Sequence, residues 1–356
     1  MTRKLLLVAG GTGGHIWPAI SFGKWIEKNK PDITVSYLCG NRPMELEIYR
    51  AAGIEPHQLN IKGSPFSANG LEKFKRTYDH LSAVKESARI IKSLAPNFTL
   101  LFGGYISFPV LLACRMSKRP VVIHEQNAFA GKVTRIASMM GVEVFSGWSQ
   151  CFPLASSKFT RIGVPVREFV KVSPREAWQR LGIPEKFPDG PKLLVFSGSL
   201  GSSAIKDIVI QICSDKEFST WTFILPAISE KVERVHENVF LLPKVWEAEL
   251  LYSLADIAVV RGGGSTLTEV AVHGIPSIVI PWSGAADNHQ YHNAVAFSSE
   301  NKAILWDGNG SSSDFAKCLI RLYDTVLDKN ENDRGKQQNS AGRICENLWL
   351  TLSSYF

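Results

Sequence analysis

Runs of consecutive apolar residues, each ended by a glycine or polar turn and most followed by a stretch with helical spacing, recur along this chain in two series. Unbroken runs of this kind suit strands buried on both faces, and their alternation with helices predicts a parallel sheet covered on both sides. In the first series Lys4–Ala9 leads into Gly10–Gly14, and Ile16–Asn29 then sets Ile16, Ala19, Ile20, Phe22, Gly23 and Ile26 at helical intervals. Further runs stand at Val35–Cys39, Phe98–Phe102, Val121–His124 and Val142–Phe145. The pattern pauses around Arg161–Arg167 and through a Pro-rich stretch to Pro191. It restarts with Leu193–Phe196, Trp221–Leu225, Val239–Leu242, Ile257–Val260 and Ser277–Ile280. A chain of 356 residues exceeds one small core. The expectation is an α/β protein of two doubly wound Rossmann-like domains facing across a cleft, with a seam near Val164. The first covers residues 1–163, joined by a closing helix in 341–356, and the second covers 164–340. Asp328–Ser340 reads as polar loop.

No stretch approaches the ~20 apolar residues of a membrane helix. The five apolar residues before the first glycines fall short of the ~7–15 of an export signal core. The net charge of +7 and pI of about 9.0 favour anionic partners such as phosphates or acidic lipid, and are too mild to indicate nucleic acid. Six scattered cysteines without a CxxC pair read as buried thiols of a reducing compartment.

Ligands of doubly wound sheets bind beyond the C-terminal strand ends, so the loops there carry the functional argument. Gly10–His15 (GGTGGH) follows the first strand and opens a helix, where close backbone approach and free N–H groups suit an anion. A dehydrogenase fingerprint fails, because Ile16 stands where its last glycine belongs and Cys39-Gly40-Asn41 ends the second strand without an acid. Gly103–Ser107 (GGYIS) is a weaker signal of the same type. Ser197–Ser203 (SGSLGSS) suits a diphosphate nest but lacks the lysine of a P-loop. Arg261–Glu269 (RGGGSTLTE) places three glycines before a helix, and Glu269 about one turn in, where a carboxylate accepts two ribose hydroxyls or complements the helix dipole. His124-Glu125-Gln126-Asn127 ends a strand, which predicts polar side chains projecting into the cleft; Ala128 excludes HExxH. Asp287, His289 and His292 lack a third supporting ligand set for zinc, and no Asp-x-Asp clamp occurs.

Taken together, GGTGGH at 10–15, GGYIS at 103–107, HEQNAFAGK at 124–132, GVPVR at 163–167, GSLGSS at 198–203, RGGGSTLTE at 261–269 and DNHQYHNA at 287–294 resemble, in order, the MurG family of cell-wall transferases. The resemblance implies the GT-B fold and an inverting transfer of N-acetylglucosamine from UDP-GlcNAc to lipid I (undecaprenyl-pyrophosphoryl-MurNAc-pentapeptide), giving lipid II. It implies no cofactor and no obligatory metal, with acceptor on the N-terminal domain and UDP on the C-terminal one. By position, Thr12, Gly13 and Gly14 resemble the loop facing transferred sugar and acceptor, and Asn127 a sugar contact. Arg167 and Ser199 resemble the diphosphate ligands, and a uracil contact falls near Val245. Gly264, Ser265, Thr266, Leu267, Thr268 and Glu269 resemble the nucleoside loop, with Glu269 on the ribose, and Gln290 the reader of sugar hydroxyls. His289 and Leu200 stand where the family usually has glutamines.

An inverting transfer needs a base for the acceptor hydroxyl. His15 is the candidate, its imidazole suited to base work near neutrality, with a helix-capping role as the alternative and Glu125 as the reserve. A lipid-anchored acceptor implies a peripheral protein on the cytoplasmic face of an anionic membrane. Residues 71–92 carry six basic and three acidic residues among Leu71, Phe74, Tyr78 and Leu81, and Arg115, Lys118 and Arg119 follow a helix. A solvated helix packing on the sheet explains that pattern equally. Two rival readings stay open: a related GT-B transferase with another sugar and glycolipid, and a non-catalytic nucleotide-sugar or lipid-binding module.

Overall fold

The structure is a computed structural model that describes residues 3–61, 71–196, 203–301, 303–327 and 340–355, without the side chains of 71–78, 80, 203–204 and 326–327. The chain divides into two units, Met1–Glu168 with Ala341–Phe356, and Phe169–Ser340.

In the first unit β1 (Arg3–Val8), β2 (Ile33–Gly40), β3 (His57–Leu59), β4 (Phe98–Leu101), β5 (Val121–Glu125), β6 (Val144–Ser146) and β7 (Thr160–Arg161) form one parallel sheet in the order β3-β2-β1-β4-β5-β6-β7. Its helices are α1 (Gly13–Asn29), α2 (Pro43–Ala51), α3 (Leu71–Leu94), α4 (Ser107–Met116) and α5 (Lys132–Met139). Leu5 through Val8 are all buried, because successive side chains of a strand point to opposite faces and both faces are covered. Leu6, Val8, Leu101, Ile123 and Val144 join Ala83, Val84 and Ile91 of α3 and Val110, Leu111 and Cys114 of α4 in one core, while α1 packs on β1 and β2.

The first unit keeps five residues that the sequence reading places beyond the seam. Val164 and Val166 are buried, the Arg167 guanidinium lies 4.3 Å from the centroid of the Trp17 ring, and Lys28 donates to Glu168. The division therefore falls after Glu168, where such contacts end. The closing helix Ser340–Leu352 buries Cys345, Leu348, Trp349 and Leu352, and Ile344 packs against Gly163, so the chain end returns to this unit.

The second unit repeats the plan with β8 (Lys192–Phe196), β9 (Thr222–Leu225), β10 (Glu233–His236), β11 (Val239–Leu241), β12 (Ile257–Val260), β13 (Ser277–Val279) and β14 (Ala303–Leu305), in the order β10-β11-β9-β8-β12-β13-β14. Its helices are α6 (Pro174–Arg180), α7 (Ser203–Ile212), α8 (Ala248–Leu254), α9 (Gly264–Val272), α10 (His289–Glu300) and α11 (Ser312–Leu327). The edge strand β10 runs antiparallel to β11, against the all-parallel expectation. It shows no apolar run because Glu233–His236 covers no core, and an edge strand pairs through its backbone without a buried face.

Candidate active site

In each unit the strand order reverses beside the first strand, between β1 and β4 and between β8 and β12. These are the switch points at which open α/β sheets bind ligands. The loops leaving β1 and β4 are GGTGGH and GGYIS, and the loop leaving β12 is RGGG. The loop after β8, with Ser199 and Leu200, lies outside the described residues.

At the first switch point α1 begins at Gly13, three residues before the apolar periodicity starts, with extended Thr12 as its N-cap. Thr12 O accepts from His15 N at 3.1 Å and Ile16 N at 3.2 Å. Gly13, Gly14 and His15 thus form the first helical turn, the positive end of the helix dipole. Thr12 and Gly14 are exposed, and Gly13 and His15 half-buried.

GGYIS proves to be the brace of this loop. A Cβ on Gly104, whose φ is +77°, would stand 2.3 Å from Gly10 O, so only glycine lets the two loop backbones meet. Sequence reasoning missed the second brace, Glu45, which is wholly buried. Its Oε1 accepts from Gly11 N at 2.9 Å and from the Tyr105 hydroxyl at 2.8 Å, and its Oε2 from Gly40 N at 2.8 Å. Burial and the neighbouring carboxylate push the Tyr105 phenol well above its usual range and the Cys39 thiol up to about 12. Nothing in NRPMELE distinguishes Glu45 from an ordinary first-turn acid.

Beyond β5 the expectation of four projecting polar side chains needs correction. His124, Glu125 and Gln126 are buried, and only Asn127 is half-buried. Strand alternation sends His124 and Gln126 to one side and Glu125 to the other. The reserve base Glu125 is fully engaged: Oε1 accepts from Asn127 N and Nδ2, each at 3.0 Å, and Oε2 from Gly131 N at 2.9 Å and the Thr134 hydroxyl. A buried carboxylate with four donors organises the 127–134 segment and holds Asn127 in place. On the other side, Gln126 Oε1 lies 2.7 Å from His15 Nδ1, and its Nε2 lies 3.0 Å from His124 Nδ1. His124 Nε2 reaches Gly163 O at 2.8 Å. Burial pushes the His124 imidazole down to about 4, against the opposing effects of the Gly163 carbonyl and the Glu125 charge.

Arg167 lies in the first unit, over Trp17 next to Gly13, rather than in the second as its expected domain implied. It sits there because GVPVR follows β7 closely and the chain leaves the unit only after Glu168.

At the second switch point part of the glycine triplet has a structural reason within the unit itself. A Cβ on Gly262 would meet Gln290 O at 2.2 Å, so this glycine admits the start of α10, and Asn293 Nδ2 donates to its carbonyl at 2.8 Å. Gly263, by contrast, faces nothing closer than Thr266 Oγ1 at 3.9 Å. Gly264 and Ser265 are buried and Thr266 half-buried in the first turn of α9. Leu267 is a core side chain at 0% exposure, and the Thr268 hydroxyl donates back to Gly264 O, so neither side chain is offered to a ligand. Glu269 lies in the second turn at 4% exposure, too far in for a first-turn dipole role, and its Oε2 accepts from the Tyr252 hydroxyl at 2.7 Å. Gln290 Oε1 accepts from Trp282 N at 2.9 Å, and His289 Nδ1 donates to Ala286 O. Val245 is half-buried in the segment between β11 and α8, beside Lys244, whose Nζ lies 4.1 Å from the Trp246 ring centroid. Among the described residues no group of three or more His, Cys, Asp or Glu is placed to hold a metal, Asp287, His289 and His292 included.

Comparison with known proteins covers both units. Residues 5–146 match the glycosyltransferase family 28 N-terminal domain, and residues 192–348 its C-terminal domain. A Chlorobium phaeobacteroides protein named UDP-N-acetylglucosamine–N-acetylmuramyl-(pentapeptide) pyrophosphoryl-undecaprenol N-acetylglucosamine transferase is 30% identical over 315 residues, 85% of each chain. One of the same name from Ectopseudomonas mendocina is 30% identical over 340 residues, 92% of this chain and 90% of that one. Among solved structures, Acinetobacter baumannii MurG shares the fold with a TM-score of 0.66 and 24% identity over 97% of this chain and 95% of that one. A putative UDP-N-acetylglucosamine 2-epimerase from Listeria monocytogenes shares it with a TM-score of 0.65 at 14% identity, over 100% and 97%, so the fold alone does not choose the reaction. Fold, both domain matches and the full-length relatives agree: the chain belongs to glycosyltransferase family 28, in its MurG branch, and has the GT-B fold.

Proposed function

We propose that this chain transfers N-acetylglucosamine from UDP-GlcNAc to lipid I with inversion, forming lipid II. One observation carries the reading: relatives named for this transfer match 85–92% of the chain at 30% identity. The two family models also span the switch-point loops of both units. In the reaction the acceptor hydroxyl oxygen bonds to the anomeric carbon as the bond to UDP breaks, and the hydroxyl proton passes to His15. Asn127, set by Glu125, contacts the sugar. Thr12, Gly13 and Gly14 present helix N-terminal N–H groups, and Arg167 beside them adds a cation, an arrangement suited to a diphosphate. In the second unit Glu269 takes the ribose hydroxyls with Tyr252 orienting it, Gly264–Thr266 offer backbone and hydroxyl donors, and Ser199 serves the donor diphosphate. Val245 lies near the uracil. With its oxygen held by Trp282 N, Gln290 reads sugar hydroxyls through its NH2.

Lipid I is membrane-bound, and we place the enzyme peripherally on the cytoplasmic face. No helix among the described residues is long and apolar enough to cross a membrane. On α3, Ala83, Val84 and Ile91 face the core, while Leu81, Lys85, Arg89 and Lys92 form an exposed stripe. Exposed Arg115 and Met116 end the adjacent α4, and exposed Lys118 and Arg119 follow it. Such a basic–apolar surface suits an anionic bilayer. Lys73, Lys75 and Arg76 have side chains outside the described ones.

The test is UDP release from UDP-GlcNAc and other UDP-sugars, with lipid I or diacylglycerol as acceptor. Turnover only with UDP-GlcNAc and lipid I is expected. Turnover with another pair would establish the related transferase, and no acceptor-dependent release would leave a binding module.

A further inference from the structure

We infer that Gln126 and His124 are positioning residues that lock His15 in the tautomer protonated at Nδ1, so that its Nε2 carries the lone pair that takes the acceptor proton. The inference rests on the reading of His15 as the base. A carbonyl oxygen only accepts, so His124 Nε2, 2.8 Å from Gly163 O, carries a hydrogen. A neutral His124 then has a bare Nδ1. Two features keep it neutral: it is wholly buried, and its ring packs on Phe102 at 5.5 Å between centroids.

Gln126 has only one workable orientation. Its amide nitrogen lies 2.7 Å from His124 O and 3.0 Å from the bare His124 Nδ1, two acceptors. Turned over, its oxygen would face both. Nε2 therefore donates toward His124, and Oε1 points at His15 Nδ1 from 2.7 Å. An amide oxygen only accepts, so the hydrogen on that contact belongs to His15 Nδ1. A neutral imidazole holds one ring hydrogen, so Nε2 is bare. Among the described residues no group is hydrogen-bonded to Nε2.

Neither the Gln126 amide nor the neutral His124 behind it carries charge, and this sets the relay apart from a histidine backed by a carboxylate. A carboxylate at Nδ1 would raise the imidazole pKa and favour a resting imidazolium, which cannot accept a proton. A buried amide fixes the tautomer without placing a charge beside the ring. The nearby carboxylate Glu125 points to the opposite side of the strand and is committed to the 127–134 segment. Placement at the strand end also matters. Trp148 Nε1 donates to Gln126 O at 2.9 Å, holding the residue where β5 ends.

The experiment begins with the unaltered protein. In a ¹⁵N-histidine NMR spectrum, with His15 assigned from the signals lost in His15→Gln, Nδ1 should give a protonated-type shift and Nε2 a bare-type shift. The opposite pattern would overturn the lock without any variant having to fold. Two variants then separate positioning from mere support. Gln126→Leu removes the acceptor, so the His15 tautomers should mix. Its kcat should fall about 10- to 100-fold, the range for losing the partner that orients a metal-bound histidine, with both KM values within about twofold. Gln126→Glu keeps an acceptor at Nδ1 but adds charge, so the tautomer should persist while the acidic limb of the kcat profile moves to higher pH. A purely structural Gln126 would lower both variants alike at every pH, and that result would refute the proposal. His15→Ala distinguishes the underlying reading: kcat should fall ~10²–10⁴-fold with UDP affinity kept. Parental kcat in His15→Ala would remove the base, and the relay's catalytic role with it. Full activity in Gln126→Leu beside a crippled His15→Ala would remove the relay alone.

Discussion

Glu45→Gln offers the sharpest test of how the first glycine loop is held. The substitution changes one oxygen to NH2 and almost no volume. Glu45 accepts three hydrogen bonds at 0% exposure, and both oxygens face a backbone N–H: Oε1 that of Gly11 and Oε2 that of Gly40. A glutamine has one acceptor end. Whichever way it turns, its NH2 meets a backbone donor that neither water nor another group can satisfy. A buried donor left unpaired costs about 1–3 kcal/mol. Glu45→Ala strands all three donors and opens a cavity, for a cost of about 3–5 kcal/mol, since neighbouring losses do not simply add. At roughly 3 °C per kcal/mol for a unit of this size, the melting transition should fall by about 6 °C for Gln and about 12 °C for Ala. Scanning calorimetry with exposed Glu55→Gln as control, expected within about 0.5 kcal/mol of the parent, provides the assay. If Glu45→Gln melts with the parent, the carboxylate does not serve both backbone groups, and the interlock of Gly10 with Gly104 must hold the loop unaided.

Glu269→Ala should weaken UDP binding by about 1–3 kcal/mol in titration calorimetry, and Tyr252→Phe by less, because the carboxylate stays charged when it loses one donor; unchanged affinity in Glu269→Ala would remove the ribose assignment. The His124 imidazole is held down near 4 when folded against 6.5 when unfolded, so between these values the unfolded chain binds more protons. Its contribution to stability is therefore whole above pH 6.5 and lost as pH falls toward 4, amounting to about 3 kcal/mol. Urea midpoints across that window should fall on acidification, and with a shallower slope in His124→Asn; equal slopes would mean that His124 does not resist protonation. Reversing Arg89, Lys92, Lys118 and Arg119 to Glu should reduce binding to anionic vesicles, each basic residue being worth ~1 kcal/mol there, while soluble acceptor analogues are still turned over. Equal vesicle binding would favour the solvated-helix reading of α3.

Local chemistry was sufficient for the strands that matter most. Lys4–Ala9, Phe98–Phe102, Leu193–Phe196 and Ile257–Val260 are apolar apart from Lys4 and Thr99 because central strands of a doubly covered sheet bury both faces, and each lies within a residue of where the structure has it. The glycine loops that follow announced themselves for the same reason, since a run of glycines between strand and helix has few other uses. Short edge strands such as His57–Leu59 and Glu233–His236 left no such mark, because backbone pairing with a neighbour defines them. Tertiary structure alone decided what each polar residue faces. Strand alternation and distant partners turned HEQN from four projecting groups into a buried tautomer relay, a carboxylate that organises its own loop, and one half-buried asparagine. Likewise Glu45, more than thirty residues from the loop it braces, and Arg167, held to the first unit by Trp17, depend on contacts between segments far apart in the chain. Such partners meet only when the strand order sets β1 beside β4, and no local pattern encodes that neighbour.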